Sequence, residues 1–489
     1  MGEDLRMNNK IYRKILFFLV IISLLFFNFG SALNNTMLKN TDNLRYDLLI
    51  ISPEIFEGEL DLLIYHKEKM GIPTILITLD EIYQDTDLKG RDNAEKVKYK
   101  IKDFIDENYI KYVLLVGGKK GQTSQWFLPV RYVFMENDYI DYYEPCFISD
   151  LYFADIYDEN GDFSSWDNDG DGIYGEWYSG EFAEDFDIDL YPDVAVGRLP
   201  CRSLNEVRIM VDKIIDYETK TYGQSWFYNM QVFAGDTLPG FPNIDSGIQP
   251  IDLSNPDFEG EYYGEKALGF MDDFTPYRYY TSDGTLTFIN DVITALNMGS
   301  GFAYFVGHGS PQMWGTYPPN VDSFTIGLLV QTVYKIKNEN RNPVIILSGC
   351  HCCQFDVSIM KLFNKNARKH MEDTFECLGW RLTSKNNGGS IATIGCTALG
   401  ALKEDKISLT GGGNELEVQF FRQYGENNKS IIGEAWSESI SWYIDNYPVD
   451  WFTYGVSDSW IDAQVVESWI LFGDPSLKMG GYKDIYSGM

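Results

Sequence analysis

Basic residues are scarce in this chain of 489 residues, and the shortage excludes a class of function. Only 40 lysine and arginine residues stand against 72 aspartate and glutamate residues, so the formal net charge at pH 7 is −32. A surface of that charge repels phosphate, which excludes nucleic acid as a partner. It suits a soluble exported protein and calcium binding, and solubility alone also accounts for it.

Long apolar runs are absent except near the N-terminus. Three basic residues within 10–14 precede an apolar stretch over 15–27, and small residues follow at 30–32. This order predicts a secretory signal peptide over 1–32. The stretch is short for a spanning helix, although adding Ile11 and Phe29 allows an uncleaved anchor. We expect a secreted or cell-surface protein that contacts a membrane only through an uncleaved N-terminal segment.

Cysteine is too scarce for a disulfide scaffold, because only seven occur in a chain of this length. Seven is an odd number, so in an exported protein at least one thiol has no partner within the chain. A phosphate-binding loop is also missing, since Gly411–Gly413 is not followed by Lys and Ser or Thr. We expect no organic cofactor.

The chain alternates apolar runs with amphipathic stretches, which predicts an α/β fold with mainly parallel sheets flanked by helices. We expect two units in tandem, 45–225 with an acidic insertion and 226–480, and loops over 237–285. Strands are predicted at 46–52, 73–78, 112–118, 193–199, 231–236, 301–306, 343–347 and 390–395, and helices at 58–70, 94–108, 205–217, 288–298, 323–337, 414–424 and 457–471.

Two strand-end turns, about 40 residues apart, carry the residues of greatest chemical interest. The run at 301–306 ends in Gly307-His308-Gly309, and the run at 343–347 ends in Ser348-Gly349-Cys350. Open α/β sheets build their sites at the carboxyl ends of strands, so one His and one Cys are expected side by side. A thiol nucleophile and its base need that arrangement. Two ordinary tight turns with a buried Cys are the alternative.

His308 is the best partner for Cys350 among only four histidines. His66 and His370 lie on helical patterns with charged neighbours and are predicted to be solvated. His351 is adjacent to Cys350, so its side chain should point away from the thiol. The run Cys350-His351-Cys352-Cys353 has the wrong spacing for a structural zinc site, which uses separated ligand pairs.

Several segments together resemble the gingipain-type cysteine peptidases, peptidase family C25, which have a caspase-like fold. The resemblance extends from about 45 to 480. It is carried by 304–310 with Trp314, by 348–356, by 191–200 with 217–218, and by 471–477. It implies two tandem caspase-like subdomains.

The resemblance also implies roles for individual residues. Cys350 would be the nucleophile and His308 the general acid and base. The N–H groups of Gly309 and Cys350 would form the oxyanion hole, and acyl transfer would pass through a thioester. Cys352 and Cys353 depart from the family, which more often has small polar residues there.

Three further side chains are expected at the site on the same grounds. Asp189 corresponds to an acidic residue at the floor of the S1 pocket, which would favour Arg or Lys at P1. Asp189 belongs to the acidic calcium region in the alternative interpretation. Asp150 is the candidate for the acid that orients the histidine, and Trp314 is expected to bind substrate.

A calcium loop is predicted over 167–178. Asp167, Asp169 and Asp171 occupy loop positions 1, 3 and 5, and Gly172 occupies position 6. Position 12 is Tyr178 rather than Glu, so the loop is not an EF-hand. The coordination sphere would be completed from the set Ile173 (carbonyl), Glu176 and Asp162. We expect a structural ion.

The sequence as a whole predicts an exported cysteine endopeptidase that acts on protein or peptide substrates. Two alternatives stay open. One is a catalytically silent, calcium-stabilised surface binding module, and the other is a transpeptidase that uses the same dyad. No feature of the sequence indicates an oligomeric state.

Overall fold

The computed structural model describes residues 45–483 apart from 140–141, 187, 238–257, 320, 322 and 401–410. The predicted signal peptide or anchor at 1–32 lies outside the described residues. Eleven α-helices and seventeen strands are described. The helices are α1 Glu57–Lys69, α2 Leu79–Gln84, α3 Asn93–Asn108, α4 Leu204–Lys220, α5 Glu259–Gly269, α6 Ile289–Met298, α7 Lys365–Lys369, α8 Leu378–Thr383, α9 Gly413–Gly425, α10 Ile432–Asn446 and α11 Asp458–Ser468.

The strands form one large sheet and three small ones. They are β1 Leu48–Ser52, β2 Thr74–Thr78, β3 Tyr112–Val116, β4 Tyr132–Val133, β5 Asn137–Tyr139, β6 Tyr142–Glu144, β7 Phe147–Ile148, β8 Ala195–Leu199, β9 Asn229–Ala234, β10 Thr275–Tyr280, β11 Phe302–Phe305, β12 His308–Ser310, β13 Met313–Thr316, β14 Thr325–Leu329, β15 Val344–Leu347, β16 Ala392–Cys396 and β17 Trp469–Phe472.

The large sheet has ten strands in the order β10-β9-β11-β15-β16-β17-β8-β3-β1-β2. Every neighbouring pair is parallel except β16 and β17, which are antiparallel. The strand direction therefore reverses once, between β16 and β17. As a result, β11 and β15 end at the same edge of the sheet at which β8 begins. We call this the upper edge.

The predicted α/β class with mainly parallel strands is confirmed. Strands from 45–225 form one side of the sheet, and strands from 226–480 form the other. β17, from the end of the chain, lies between β16 and β8 and joins the two sides. The division into units at 225/226 stays a prediction.

Three predictions of local structure are wrong. The helix predicted over 323–337 is β14 followed by a 3₁₀ turn, and the helix predicted over 457–471 ends at Ser468, where β17 begins. Short apolar runs do not separate a strand from a buried helix by periodicity alone. The segment predicted as loops contains α5 and β10.

A buried ion cluster joins the last motif of the chain to two helices. Lys67 Nζ lies 2.9 Å from Glu218 Oε1 and 2.7 Å from Asp474 Oδ2, and all three side chains are fully buried. His66 Nε2 lies 2.8 Å from Glu218 Oε2. His66 is therefore buried, which corrects its prediction as a solvated residue. Burial alone would raise the pKa of Glu218, but Lys67 and His66 hold it below its usual value.

Candidate active site

The two predicted catalytic segments follow neighbouring strands of the large sheet. β11 and β15 are adjacent and parallel, and their last residues, Phe305 and Leu347, are paired in register. His308 and Cys350 each lie three residues beyond that pair. Both residues therefore lie at the upper edge, where strand ends of an α/β sheet present reactive groups.

Two glycines let the histidine and cysteine segments touch. A Cβ atom added at Gly349 would lie 2.8 Å from the backbone nitrogen of Gly309 and 3.0 Å from its Cα. One added at Gly309 would lie 2.9 Å from the carbonyl oxygen of Cys350. Gly349 also has a φ of +148°, which residues with a side chain rarely adopt. A side chain at either position would push the two segments apart.

Cys350 is a partly exposed thiol that needs a base. Burial raises its pKa, a hydrogen bond from the N–H of Gly400 lowers it, and the nearby Glu144 raises it again. The Gly400 nitrogen lies 3.2 Å from Sγ. With its pKa raised overall, the thiol is protonated at neutral pH until an imidazole accepts the proton.

His308 is oriented by a backbone carbonyl group. Its Nε2 lies 2.7 Å from the carbonyl oxygen of Thr237. Because a carbonyl oxygen only accepts hydrogen bonds, Nε2 carries the ring proton and the lone pair is on Nδ1. Tyr317 packs edge-on against the ring with a centroid distance of 5.7 Å. Nδ1 is therefore the atom that can accept a thiol proton.

Thr237 is held by a carboxylate that sequence reasoning did not identify. The backbone N–H and the hydroxyl of Thr237 both donate to Glu259 Oε1. Glu259 is buried at the start of α5, and burial raises its pKa while the Thr237 hydroxyl lowers it. The carboxylate of Glu259 thus acts on His308 only through Thr237. No spacing of sequence motifs indicates Glu259 as part of the site.

Asp150 does not hydrogen bond to His308 in the described part of the chain, which corrects its predicted role. Nε and Nη2 of Arg198 donate to the two carboxylate oxygens of Asp150, each at 2.7 Å. Arg198 is fully buried in β8. Both oxygens are therefore occupied by a buried ion pair, whose disruption would leave an uncompensated charge inside the protein.

Trp314 is a core residue, which corrects its prediction as a substrate contact. Its exposed fraction is 0%, and its ring packs edge-on against Phe305 with centroids 4.9 Å apart. A Cβ atom at Gly307 would lie 3.2 Å from the indole. Trp314 therefore supports the segment that carries His308 from below.

Asp189 lies in the segment that enters β8 at the upper edge. The carboxylate is half-buried and accepts a hydrogen bond from the N–H of Tyr191 at 2.9 Å. Burial raises its pKa, the Tyr191 N–H lowers it, and Asp193 raises it further. The reversal of strand direction is what brings this segment to the same edge as Cys350. Its role in specificity stays a prediction.

Comparison with known proteins agrees with this geometry. The model of peptidase family C25 matches residues 41–480. This chain belongs to peptidase family C25. Gingipain R2 of Porphyromonas gingivalis is 23% identical over 293 residues, which cover 59% of this chain and 33% of the gingipain. An uncharacterized protein of Archaeoglobus fulgidus is 28% identical over 224 residues, which cover 43% of this chain and 48% of that protein. The chain thus spans half or less of the length of these curated relatives.

Two solved structures share the fold. The crystal structure of the Arg-specific cysteine proteinase gingipain R has a TM-score of 0.59 at 18% identity, over 89% of this chain and 78% of that one. The complex of pro- and mature domains of RgpB from Porphyromonas gingivalis also has a TM-score of 0.59, at 17% identity, over 88% and 79%. Family C25 is a family of cysteine-type peptidases. No helix among its described residues is both long and apolar enough to cross a bilayer.

A second buried carboxylate, that of Glu144, lies near the nucleophile of this C25 chain. Glu144 Oε2 accepts a hydrogen bond from the N–H of Leu399 at 3.0 Å, next to the Gly400 N–H that faces Cys350. His351 Nδ1 lies 3.5 Å from Glu144 Oε1 and 3.2 Å from the carbonyl oxygen of Thr397. Burial raises the pKa of Glu144 to about 8 and lowers that of His351 to about 4.

Three carboxylates converge at the predicted calcium loop, two from the loop and one from the segment after it. One oxygen each of Asp167, Asp169 and Asp185 lies within 4.8 Å of the other two. Across the part of the chain that the structure describes, this is the only such group of His, Cys, Asp or Glu. The sequence prediction did not include Asp185, because this residue lies outside the predicted loop over 167–178. Burial raises its pKa to about 7, its backbone hydrogen bonds lower it, and Asp167 raises it again.

The other predicted calcium ligands divide into two sets. The N–H of Asp171 donates to Asp167 and Asp169, each at 3.1 Å, and Asp171 accepts a hydrogen bond from the N–H of Ile173 at 2.7 Å. The N–H of Glu176 donates to Asp185 at 3.0 Å, so these residues adjoin the group. Asp162 lies in a separate exposed turn, where its N–H donates to Asp158. Asp162 is therefore outside the carboxylate group, which corrects its prediction as a ligand.

The donor set fits a hard cation because it consists of oxygen atoms with excess negative charge. Arg91 Nη1 lies 2.6 Å from Asp167 Oδ2 and balances part of that charge. Three backbone N–H groups also donate to Asp167, which fixes the turn of the loop.

Proposed function

We propose that this C25 chain is an exported cysteine endopeptidase that hydrolyses peptide bonds through Cys350 and His308. The observation that carries the proposal is the register of β11 and β15, which places both residues at the same distance beyond one strand pair. The glycine contact between the two segments adds to it, because it holds the backbone of Gly309 against that of Gly349, the residue before the thiol.

The proposed reaction begins with proton transfer from Cys350 Sγ to His308 Nδ1. The thiolate attacks the carbonyl carbon of the scissile bond, and the N–H groups of Gly309 and Cys350 bind the oxyanion. The amine then leaves with the proton from His308, and a thioester to Cys350 remains. Water, deprotonated by His308, attacks the thioester and the C–S bond breaks. The acid is released, and the Cys350 thiolate regains its proton from His308.

We also propose that Asp189 selects Arg or Lys at P1. It is a half-buried carboxylate at the upper edge, and the charged groups that shift its pKa in the described part of the chain, Asp193, Asp158 and Glu159, are acidic. A guanidinium or ammonium group of the substrate would supply the missing charge. The gingipain R with the same fold is described as Arg-specific, which is a statement about that protein.

Cleavage of a P1-scanning peptide library tests the proposal. Wild-type protein is expected to cleave after basic residues and to release free acids, and Cys350→Ala is expected to show no cleavage while keeping its melting temperature. Asp189→Asn should lose the basic preference, whereas Asp162→Asn, an exposed acid in another turn, should keep it. Cleavage by Cys350→Ala would overturn the dyad. Products joined to an added amine would identify a transpeptidase, and a wild-type protein without cleavage or thiol labelling would identify a silent binding module.

The proposed cofactor is one structural calcium ion held by Asp167, Asp169 and Asp185, with Asp171, Glu176 and the Ile173 carbonyl nearby. The ion would supply positive charge that offsets the repulsion among the carboxylates of the acidic insertion.

We propose export on the basis of the N-terminal sequence, and N-terminal sequencing of the protein in the culture medium tests it. A new N-terminus near 33 is expected, and retention of residues 1–32 would indicate an anchor.

A further inference from the structure

Cys352 packs directly against the backbone of Gly309. Its sulfur occupies the space that a Cβ atom of Gly309 would need. The side chain is fully buried and lies in an apolar cluster with Phe305, Trp314 and Leu347. Gly309 is therefore confined on one side by Gly349 and on another by the Cys352 sulfur.

Cys352 is itself held by the first turn of α8. Its carbonyl oxygen accepts a hydrogen bond from the N–H of Gly379 at 2.9 Å. The N–H of Leu378 donates to Pro311, at the tip of the β12–β13 hairpin, at 2.8 Å. Cys352 therefore lies between the β12–β13 hairpin, which carries His308, and the first turn of α8, which is hydrogen bonded to both the hairpin and Cys352.

We propose that Cys352 is a positioning residue that sets the place of the Gly309 N–H relative to Cys350. The inference rests on the proposed function, in which that N–H binds the oxyanion. An oxyanion donor must lie within about 2.7–3.1 Å of the developing charge, so a small shift of the Gly309 backbone weakens the transition state more than the bound substrate. Cys352 acts through Gly309 and touches no substrate.

Cys352 does not serve as a second nucleophile. Burial raises the pKa of its thiol well above the usual range, and Cys350 and Cys396 raise it further. A thiol in that state is protonated and inert. Cys352 contributes the volume and shape of its sulfur atom, and the reactivity of the thiol plays no part.

Cys353 provides a matched control. It is the next residue, it is fully buried, and burial raises its thiol pKa in the same way. Its sulfur packs against Gly379 and against Gly395, where an added Cβ would lie 2.6 Å away. Cys353 therefore packs against Gly379 and Gly395. The atoms nearest to Gly309 belong to Cys352, Cys350 and Gly349, and none belongs to Cys353.

The test compares Cys352→Ser, Cys352→Ala and Cys353→Ala by steady-state kinetics on a cleaved peptide. For Cys352→Ala we expect kcat to fall about 10- to 100-fold with KM unchanged. Removal of an oxyanion donor lowers kcat strongly, and a donor that is only displaced should lose part of the same transition-state stabilisation. Cys352→Ser, which keeps an atom at the γ position, should fall between alanine and wild type. Cys353→Ala should lower the melting temperature and leave kcat within about twofold.

Two further readouts separate positioning from general damage. A peptide aldehyde, whose adduct with Cys350 carries an oxyanion, should bind Cys352→Ala more weakly in proportion to kcat. Alkylation of Cys350 by iodoacetamide should keep its wild-type rate, because it needs no oxyanion hole. Unchanged kcat in Cys352→Ala, or an equal loss in Cys353→Ala, would overturn the inference alone. A wild-type protein without peptidase activity would overturn the proposed function and this inference with it.

Discussion

His308 owes its orientation to an uncharged partner. A carbonyl oxygen fixes the proton on Nε2 and leaves Nδ1 as the base, so no carboxylate is needed in direct contact with the ring. The negative charge lies one residue further away, on Glu259, which holds Thr237 by two hydrogen bonds. This arrangement also frees Asp150 for its ion pair with Arg198.

Glu259→Ala should therefore reduce catalysis without touching the reacting groups. Loss of the acceptor releases Thr237, and His308 loses its fixed orientation, so kcat should fall about 10- to 100-fold with a smaller change in KM. Glu259→Gln keeps an oxygen acceptor and should retain most of the activity. Steady-state kinetics of the two variants check this, and equal activity of the alanine variant and wild type would contradict it.

Glu144 should set the alkaline behaviour of the nucleophile. Burial raises its pKa to about 8, so it is neutral at pH 6.5 and charged at pH 9. The charge that appears near Cys350 disfavours the thiolate. Glu144→Gln keeps an acceptor for the Leu399 N–H but removes the charge. Alkylation of Cys350 should therefore be about three- to tenfold faster than in wild type at pH 9 and unchanged at pH 6.5. If Glu144→Gln and wild type are alkylated at the same rate at pH 9 as well as at pH 6.5, Glu144 does not influence the thiol.

The candidate dyad could be predicted from sequence because its members follow apolar runs of strand length and few histidines compete. The residues that support the dyad could not. Thr237, Glu259 and Glu144 reach the site through tertiary contacts, and their local sequences carry no distinctive pattern. Asp150 is the opposite case. It was predicted to orient the histidine, but the buried Arg198 donates hydrogen bonds to both of its carboxylate oxygens.

At the scale of elements, the runs that end at the site were predictable and the strand that unites the sheet was not. β11 and β15 are bounded by turn residues, which marks them as strands. β17 follows α11 without a break, so its four apolar residues extended a helical pattern. β14 was hidden in the same way, because a mostly apolar segment of five residues fits either element.

The β12–β14 sheet depends on Trp314, and its truncation should affect stability rather than substrate binding. Trp314→Phe leaves a cavity under Gly307 and Gly327 and should cost about 1–3 kcal/mol of unfolding free energy. KM should stay at the wild-type value because the indole is fully buried. Denaturant unfolding and kinetics together check this. A raised KM with unchanged stability would restore the substrate contact expected from sequence.

For the whole molecule, the single reversal of strand direction is the decisive feature. It places the amino end of β8, and with it the segment that carries Asp189, at the edge where His308 and Cys350 lie. Three strand spacings separate β15 from β8, or about 14 Å. The proposed P1 selection by Asp189 requires a substrate that lies across this edge, with the dyad from one half of the chain and Asp189 from the other.

Removal of calcium should destabilise the molecule through the acidic insertion. With free calcium at 100 times its Kd, the ion contributes about 2.7 kcal/mol, so a chelator should lower the melting temperature by several degrees. Asp169→Asn should melt at the lower temperature with or without chelator, because one of three converging carboxylates is lost. Asp162→Asn should respond like wild type. A melting temperature that chelator does not change would rule out a structural ion.

The central claim, that Cys350 is the nucleophile and His308 its base, is tested most directly by labelling with a peptidyl chloromethylketone that has Arg at P1. Intact-mass and peptide-mapping mass spectrometry should show one adduct per chain, on Cys350 and on none of the other six cysteines. The rate should fall about 100-fold or more in His308→Ala, because the thiol then has no base. An adduct on another cysteine, or an equal rate in His308→Ala, would contradict the account.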